Sequence, residues 1–317
     1  MSAEVTAAAR PVPLRDDRAD GATEPKRTRL DRSAWQALAA AHAERADTLT
    51  EPWRAARSAG LAHPVEDFLF TYYGFSPSKL RRWHPGEGVE LADAADAPNA
   101  EWPWYGPGAD DGSILADATA FRLAKAPLVA AISRILRGTM SRAPRLGCFG
   151  LHEWAMVYRA DETRHPLPLR LGRDGTDAVV EASALRCTHL DAFRFFTPEA
   201  VPRNEPVATA SGVPTREAQP DLEQPGCLHA GMDLYKWALK LGPLVPGELL
   251  LDAFELARDI RRVDMDASPY DPAAWGGEPI RIETPSGRAE YAARQRGFAE
   301  RGAPIRAALA AIADPGR

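Results

Sequence analysis

The sequence predicts a mainly α-helical globular domain with long irregular loops and a small β element. Three observations carry that expectation. Apolar residues recur at helical spacing over 228–241 and 249–263, two stretches joined by a Gly-Pro-Leu-Val-Pro-Gly link suited to an antiparallel helix pair. The same spacing recurs over 33–49, 115–136 and 286–312. Short apolar runs at 167–171, 178–180 and 184–188 can supply a strand or two, so a small β element is expected between residues 160 and 190.

In chain order, residues 1–30 are rich in Ala, Arg, Asp and Pro with few large apolar side chains, and read as a disordered tail. Residues 31–317 read as one domain. Asp31 or Ser33 can cap the first helix. A second begins near Pro64 and places Phe68, Leu69, Tyr72 and Tyr73 on one face, before a break at Phe75-Ser-Pro77 and a short helix over 78–83. Residues 85–112, acidic and rich in Pro and Gly, read as a long irregular connection with room for short strands. The 115–136 helix is expected to stop at Gly138, and 151–159 reads as another buried element. Residues 197–226 read as a long loop, and Gly302 to Pro304 as a break in the final helix.

Composition sets the class. The chain has 317 residues, 45% hydrophobic and 26% charged, and no apolar run long enough for a membrane span. Its start, Met-Ser-Ala-Glu-Val, has no cationic and apolar leader, so a cytoplasmic location is expected. Three cysteines in a reducing compartment are expected as thiols or ligands rather than a disulfide framework. A net charge of −5 gives no global attraction to nucleic acid. Two local basic groups remain, Lys79, Arg81 and Arg82, and Arg258, Arg261 and Arg262.

The most telling feature is the grouping of cysteine, histidine and carboxylate. Cys148 precedes His152 and Glu153, Cys187 precedes His189 and Asp191, and Cys227 precedes His229 and Asp233. A fourth segment, His63 with Glu66 and Asp67, lacks the cysteine. Polar groups this dense in apolar stretches are costly to bury unless they pair with each other or with a ligand. Residues four apart share a helix face, so His229 and Asp233 project together, with Gly231 between them suggesting a close backbone approach. A divalent metal (Fe, Mn or Zn) held among His63, Glu66, His152, Glu153, His189, Asp191, His229 and Asp233 is one reading, acting as an oxygenase or hydrolase on a small molecule. The His-x-x-Glu order reverses the familiar di-iron motif, and a Cys187, His189, Cys227 and His229 set lacks common zinc spacing. A third reading is a non-catalytic binding protein with a buried polar network. There is no Gly-x-Ser-x-Gly elbow, phosphate loop or dinucleotide fingerprint, which removes support for acyl transfer, nucleotide hydrolysis and hydride transfer.

The blocks His63-Pro-Val-Glu-Asp-Phe-Leu-Phe-Thr-Tyr-Tyr73, Leu80-Arg-Arg-Trp-His-Pro-Gly86, Phe149-Gly-Leu-His-Glu-Trp-Ala-Met-Val-Tyr158, Arg186-Cys-Thr-His-Leu-Asp-Ala-Phe-Arg-Phe-Phe196 and Gly226-Cys-Leu-His-Ala-Gly-Met-Asp-Leu-Tyr-Lys-Trp237 resemble a family of actinobacterial proteins commonly named 3-methyladenine DNA glycosylases. The likeness extends to Asp264-Met-Asp-Ala-Ser-Pro-Tyr-Asp271 and covers most of residues 50–272. It implies removal of an alkylated purine from damaged DNA, with no cofactor required. A carboxylate would stabilise the charge developing on the sugar, Asp233 or Asp191 first and Glu153 third, beside His229, His189 and His152. Trp83, Trp154, Tyr235, Tyr72 and Arg194 would hold the flipped base. The sequence does not set the oligomeric state.

Overall fold

The computed structural model describes residues 28–163 and 165–314, and it is mainly helical with one small sheet. The helices are α1 (Arg32–Ser58), α2 (Glu66–Tyr72), α3 (Pro77–Leu80), α4 (Ala118–Ala124), α5 (Ala126–Met140), α6 (Leu151–Ala155), α7 (Gly172–Glu181), α8 (Leu190–Phe193), α9 (Gln219–Leu222), α10 (Leu228–Leu241), α11 (Gly247–Asp266) and α12 (Pro285–Ile312). Helix α10 is the axis. Twelve of its residues are buried, because α11 and α12 pack along it while α5 closes against α12. A helix covered on all sides should be apolar throughout, yet α10 carries His229, Asp233 and Lys236, and these polar groups must find partners inside.

Local chemistry explains most boundaries. Asp31 caps α1 by accepting from the backbone N–H of Ala34, and α1 continues past the expected end at residue 49 and through Pro52 to Ser58. Gly231 lets α11 approach α10, since a Cβ there would stand 2.7 Å from Ile260 Cδ1. The final helix is not broken at Gly302 to Pro304. Gly302 faces Leu234 and Leu256 of the two central helices, and their packing carries α12 through the proline.

Two expectations are corrected. The sheet is built from β1 (Thr28–Leu30), β2 (Val89–Leu91), β3 (Tyr105–Pro107) and β4 (Ile114–Ala116) in the order β1-β2-β4-β3, so β2 and β3 fall in the 85–112 connection, where short strands are expected, and none lies in residues 160–190. There, α7 takes up 172–181, and only isolated bridges join Leu169 to Tyr270 and Leu185 to Asn204. Thr28 to Leu30 therefore leave the expected tail to pair with β2, while residues 1–27 lie outside the described residues. The sheet covers its own cluster of Trp35, Trp83, Leu91 and Ile114.

Gly138 is the second correction. It lies inside α5 instead of ending it, and a Cβ there would meet the Pro220 carbonyl oxygen at 2.2 Å. A backbone group cannot rotate away, so Gly138→Ala must push α9 from α5. We expect it to cost about 1–3 kcal/mol in urea unfolding. Gly297 in α12 has no neighbour within 4 Å of its would-be Cβ, and Gly297→Ala should instead add about 0.5–1 kcal/mol.

His84 offers a pH test of the sheet region. Its ring stacks on Tyr105 and its Nδ1 lies 2.9 Å from the Tyr105 hydroxyl, and burial lowers its pKa to about 4. The unfolded chain, with an ordinary imidazole near 6.5, then binds more protons than the folded chain between these values. The His84 contribution is complete above pH 6.5 and is lost as pH falls toward 4. Thermal melts of wild type and His84→Phe should converge over that window, and equal pH slopes for the two would refute the assignment.

Candidate functional site

Each Cys/His segment is the entry to a helix. Before α6, Phe149 and Gly150 both adopt left-handed backbone (φ of 50° and 71°), which swings Cys148 back toward His152, whose Nδ1 lies 3.4 Å from the sulfur. His189 caps α8, its Nδ1 accepting from the Asp191 N–H at 3.3 Å. Cys227 is the residue preceding α10, on whose first turn His229 sits. The three entries bring the histidines into a row: the His229 ring centroid is 4.7 Å from that of His152 and 5.3 Å from that of His189.

Carboxylates close both ends of the row. His152, His229 and Asp264 form one group and His189, Glu223 and Asp233 another, each with ligand-type atoms all within 4.8 Å and every residue buried. His229 and Asp233, expected to act together on one face of α10, are thus shared out between two adjoining groups. Asp264 on α11 and Glu223 just after α9 were not among the expected site residues.

The two groups differ in how far the protein itself satisfies them. In the second, Asp233 accepts from the Tyr73 hydroxyl at 2.9 Å and from Lys236, which also reaches Asp191 at 3.4 Å. Glu223 accepts from Gln219 and, at 3.4 Å, from Thr139. Burial opposes charge on His189, but Glu223 and Asp233 outweigh it and lift its pKa to about 9. Burial likewise opposes the Asp233 carboxylate and the Lys236 ammonium, and each holds the other charged.

The first group is left open. His152 Nε2 and Asp264 Oδ1 form a close charge pair at 3.1 Å without an aligned hydrogen bond, as His189 Nε2 and Glu223 do at 3.0 Å in the other group. His229 makes no side-chain hydrogen bond among the described residues; burial and the neighbouring His152 and His189 push its pKa down to about 3, so it is a neutral imidazole. Against burial, Asp264 raises the His152 pKa well above the usual range, and His152 with Arg261 lowers that of Asp264 to about 2. Arg261 also holds Glu153 at 2.8 Å.

A cavity of about 460 Å³ adjoins this open group, lined by His229, Glu153, Asp191 and Arg261 and walled by Phe68, Tyr72, Met156, Leu167 and Phe195. Phe68 and Tyr72 stack at 4.9 Å, with the Arg261 guanidinium 4.1 Å from the Phe68 ring centre. Arg194 stands at the rim, its Nη2 donating to the Tyr72 hydroxyl at 3.1 Å. Asp191 is held on this wall by Arg216 at 2.7 Å. His63 also lines the cavity, but its Nδ1 accepts from the backbone of Val65 and Glu66. Glu66 is paired to Arg262.

Several expected roles do not fit these positions. Trp83 belongs to the core under the sheet, Trp154 is fully buried with its Nε1 donating to the Ala267 carbonyl, and Tyr235 packs between Tyr73 and Phe254, so none of the three lines the cavity. His63, Glu66, Glu153 and Asp191 join neither metal-ligand group. The basic set on α11 is engaged by the protein itself: buried Arg261 serves Glu153 and Asp264, exposed Arg262 pairs with Glu66, and Arg258 donates to the Leu49 carbonyl.

The chain thus sets a buried His/carboxylate network beside an aromatic-walled cavity. No known family model, no curated protein sequence and no solved structure matches the chain. No described helix is long and apolar enough to cross a membrane.

Lys236 should be the stability keystone of the second group. Lys236→Met leaves Asp233 and Asp191 buried without that cation and is expected to cost about 3–5 kcal/mol in urea unfolding. Adding Asp233→Asn removes one of the stranded charges and should restore part of the loss. A double variant no more stable than the single would show that the pair is not coupled.

Proposed function

We propose that the chain is a metal-dependent enzyme in which His152, His229 and Asp264 hold one divalent ion at the wall of the aromatic cavity. The single observation that carries this reading is the meeting of His152, His229 and Asp264 ligand atoms within 4.8 Å in a buried site, with His229 a neutral imidazole facing the cavity. Two imidazoles and one carboxylate form the ligand set of non-haem iron(II) enzymes, and of zinc hydrolases when the carboxylate is a glutamate. Iron, manganese and zinc all suit the donors. Such an ion would supply Lewis acidity and open coordination positions.

The protein's own residues do the rest. Cys148 beside Nδ1 orients the His152 ring, and Arg261 fixes Asp264 from the opposite side. Glu153 and Asp191, held in place by Arg261 and by Arg216, present carboxylates to the cavity for proton transfer. Phe68, Met156, Leu167 and Phe195 exclude water from a substrate and favour a small, flat, largely apolar molecule.

The resemblance to 3-methyladenine DNA glycosylases supports a second reading. Its specific support is the meeting of Asp191 and Glu153 with Phe68, Tyr72 and Phe195 in a cavity roomy enough for a purine, the combination needed to stack a flipped alkylated base and stabilise charge on its sugar.

One set of measurements separates the two. On the metal reading, the purified protein carries near-stoichiometric iron, manganese or zinc, which Asp264→Asn or His229→Ala removes, and added metal raises the wild-type melting temperature but not that of the variants. Metal-free protein whose melting does not respond to any of the three ions overturns it. Release of 3-methyladenine from alkylated DNA at low salt, insensitive to chelator and abolished in Asp191→Asn, would establish the glycosylase reading instead.

A further inference from the structure

His229 lines a second hollow besides the aromatic pocket, of about 20 Å³, the size of one water molecule. All three cysteines of the chain stand on its wall. Burial keeps the Cys187 and Cys227 sulfurs protonated, so they act here as small, weakly polar groups that set the size of the hollow. The last helix supplies the polar part of the wall. Tyr291 and Gln295 stand four residues apart on α12, which places them on one face of a helix that packs against α10. Gln295 Nε2 donates to the Gly226 carbonyl at 2.9 Å, and this fixes which end of the amide is left over. That end, Oε1, and the Tyr291 hydroxyl have no hydrogen-bond partner among the described residues, although the two side chains are buried. Buried polar atoms normally find partners.

We propose that Tyr291 and Gln295 are positioning residues of the metal site, acting on His229 through a single water held in this hollow. The inference rests on His229 being a ligand of the ion. An imidazole that gives the lone pair of one ring nitrogen to a metal carries its proton on the other, and that N–H needs an acceptor. For His152 the group beside the second nitrogen is Cys148, whose sulfur stands 3.4 Å from Nδ1. No side chain among the described residues does the same for His229. The water completes the set: it accepts from the His229 N–H and from the Tyr291 hydroxyl and donates to Gln295 Oε1, making the three bonds usual for a buried water. Donors and acceptors balance, and no atom in the hollow is asked to change its charge. Support of this kind fixes the tautomer and the orientation of the ligating ring. The final helix, which contributes none of His152, His229 and Asp264, thereby holds the middle one in place.

The test measures affinity for iron(II), manganese and zinc, by competition with a chelator, in full-length wild type, Tyr291→Phe, Gln295→Met and the double variant. Each single change is expected to weaken the ion that wild type binds best by about ten- to a hundredfold. The double variant should bind no worse than the weaker single, because both residues act through one water. A purely structural role predicts a lower urea midpoint with metal affinity unchanged, and that result overturns the proposal. Should Gln295→Met fail to fold, Tyr291→Phe, which removes only one oxygen, carries the comparison. A high-resolution crystal structure of the metal-free protein, with nitrogen NMR of the His229 ring, tests the water without any ion. One ordered water within about 3.2 Å of the Tyr291 hydroxyl, Gln295 Oε1 and a His229 nitrogen is expected, with a single tautomer that becomes mixed in Tyr291→Phe. A dry hollow, or a water that does not touch His229, overturns the proposal. Wild type that binds none of the three ions removes the metal reading and the positioning role with it, while the crystal structure still shows whether the water bridge exists.

Discussion

The fold is organised around the cost of charge inside it. Taking an ion out of water costs several kcal/mol even after the protein relaxes, and only close, well-placed partners offset this. His152, His189, Asp233, Arg261 and Asp264 are each no more than 3% exposed, and Lys236 is 9% exposed. Their partners lie on α6, α8, α10 and α11 and on the turn after α9. A shift of any of these elements by one helical turn would strand a charge. Electrostatics therefore fixes the register of a packing that apolar side chains alone would leave degenerate.

The histidine row divides the network into unequal halves. Toward Asp233 the protein supplies its own cation and fills the remaining acceptor positions with Tyr73, Gln219 and Thr139, which makes a rigid base. Toward Asp264 the donors approach without satisfying one another.

Much of this was legible in the chain. The central helix pair and the Cys/His segments stand out because their spacing is local. Asp264 was hidden among Arg261, Arg262 and Asp266 on a helix that reads as charged, and only packing of α11 against α10 decides which of these turns inward. Glu223 sits in a Pro- and Glu-rich stretch whose compaction depends on α5. Sequence proximity to acids misplaced Trp83, Trp154 and Tyr235, since adjacency along a chain says nothing about which way a ring faces. Strands β1 and β4 escaped because they are three residues long and pair across long intervals, and Gly138 reads locally as a stop although its role is to admit a distant carbonyl.

His229 touches both hollows of the molecule and is the partition between them, one ring thick. The aromatic pocket on one side is a space for carbon chemistry; the other side is lined with sulfur. A smaller side chain at this position would merge them into a continuous passage and admit small oxidants from the pocket to thiols otherwise shielded on that side. The residue that governs reactivity in one compartment thereby sets the chemical durability of the other.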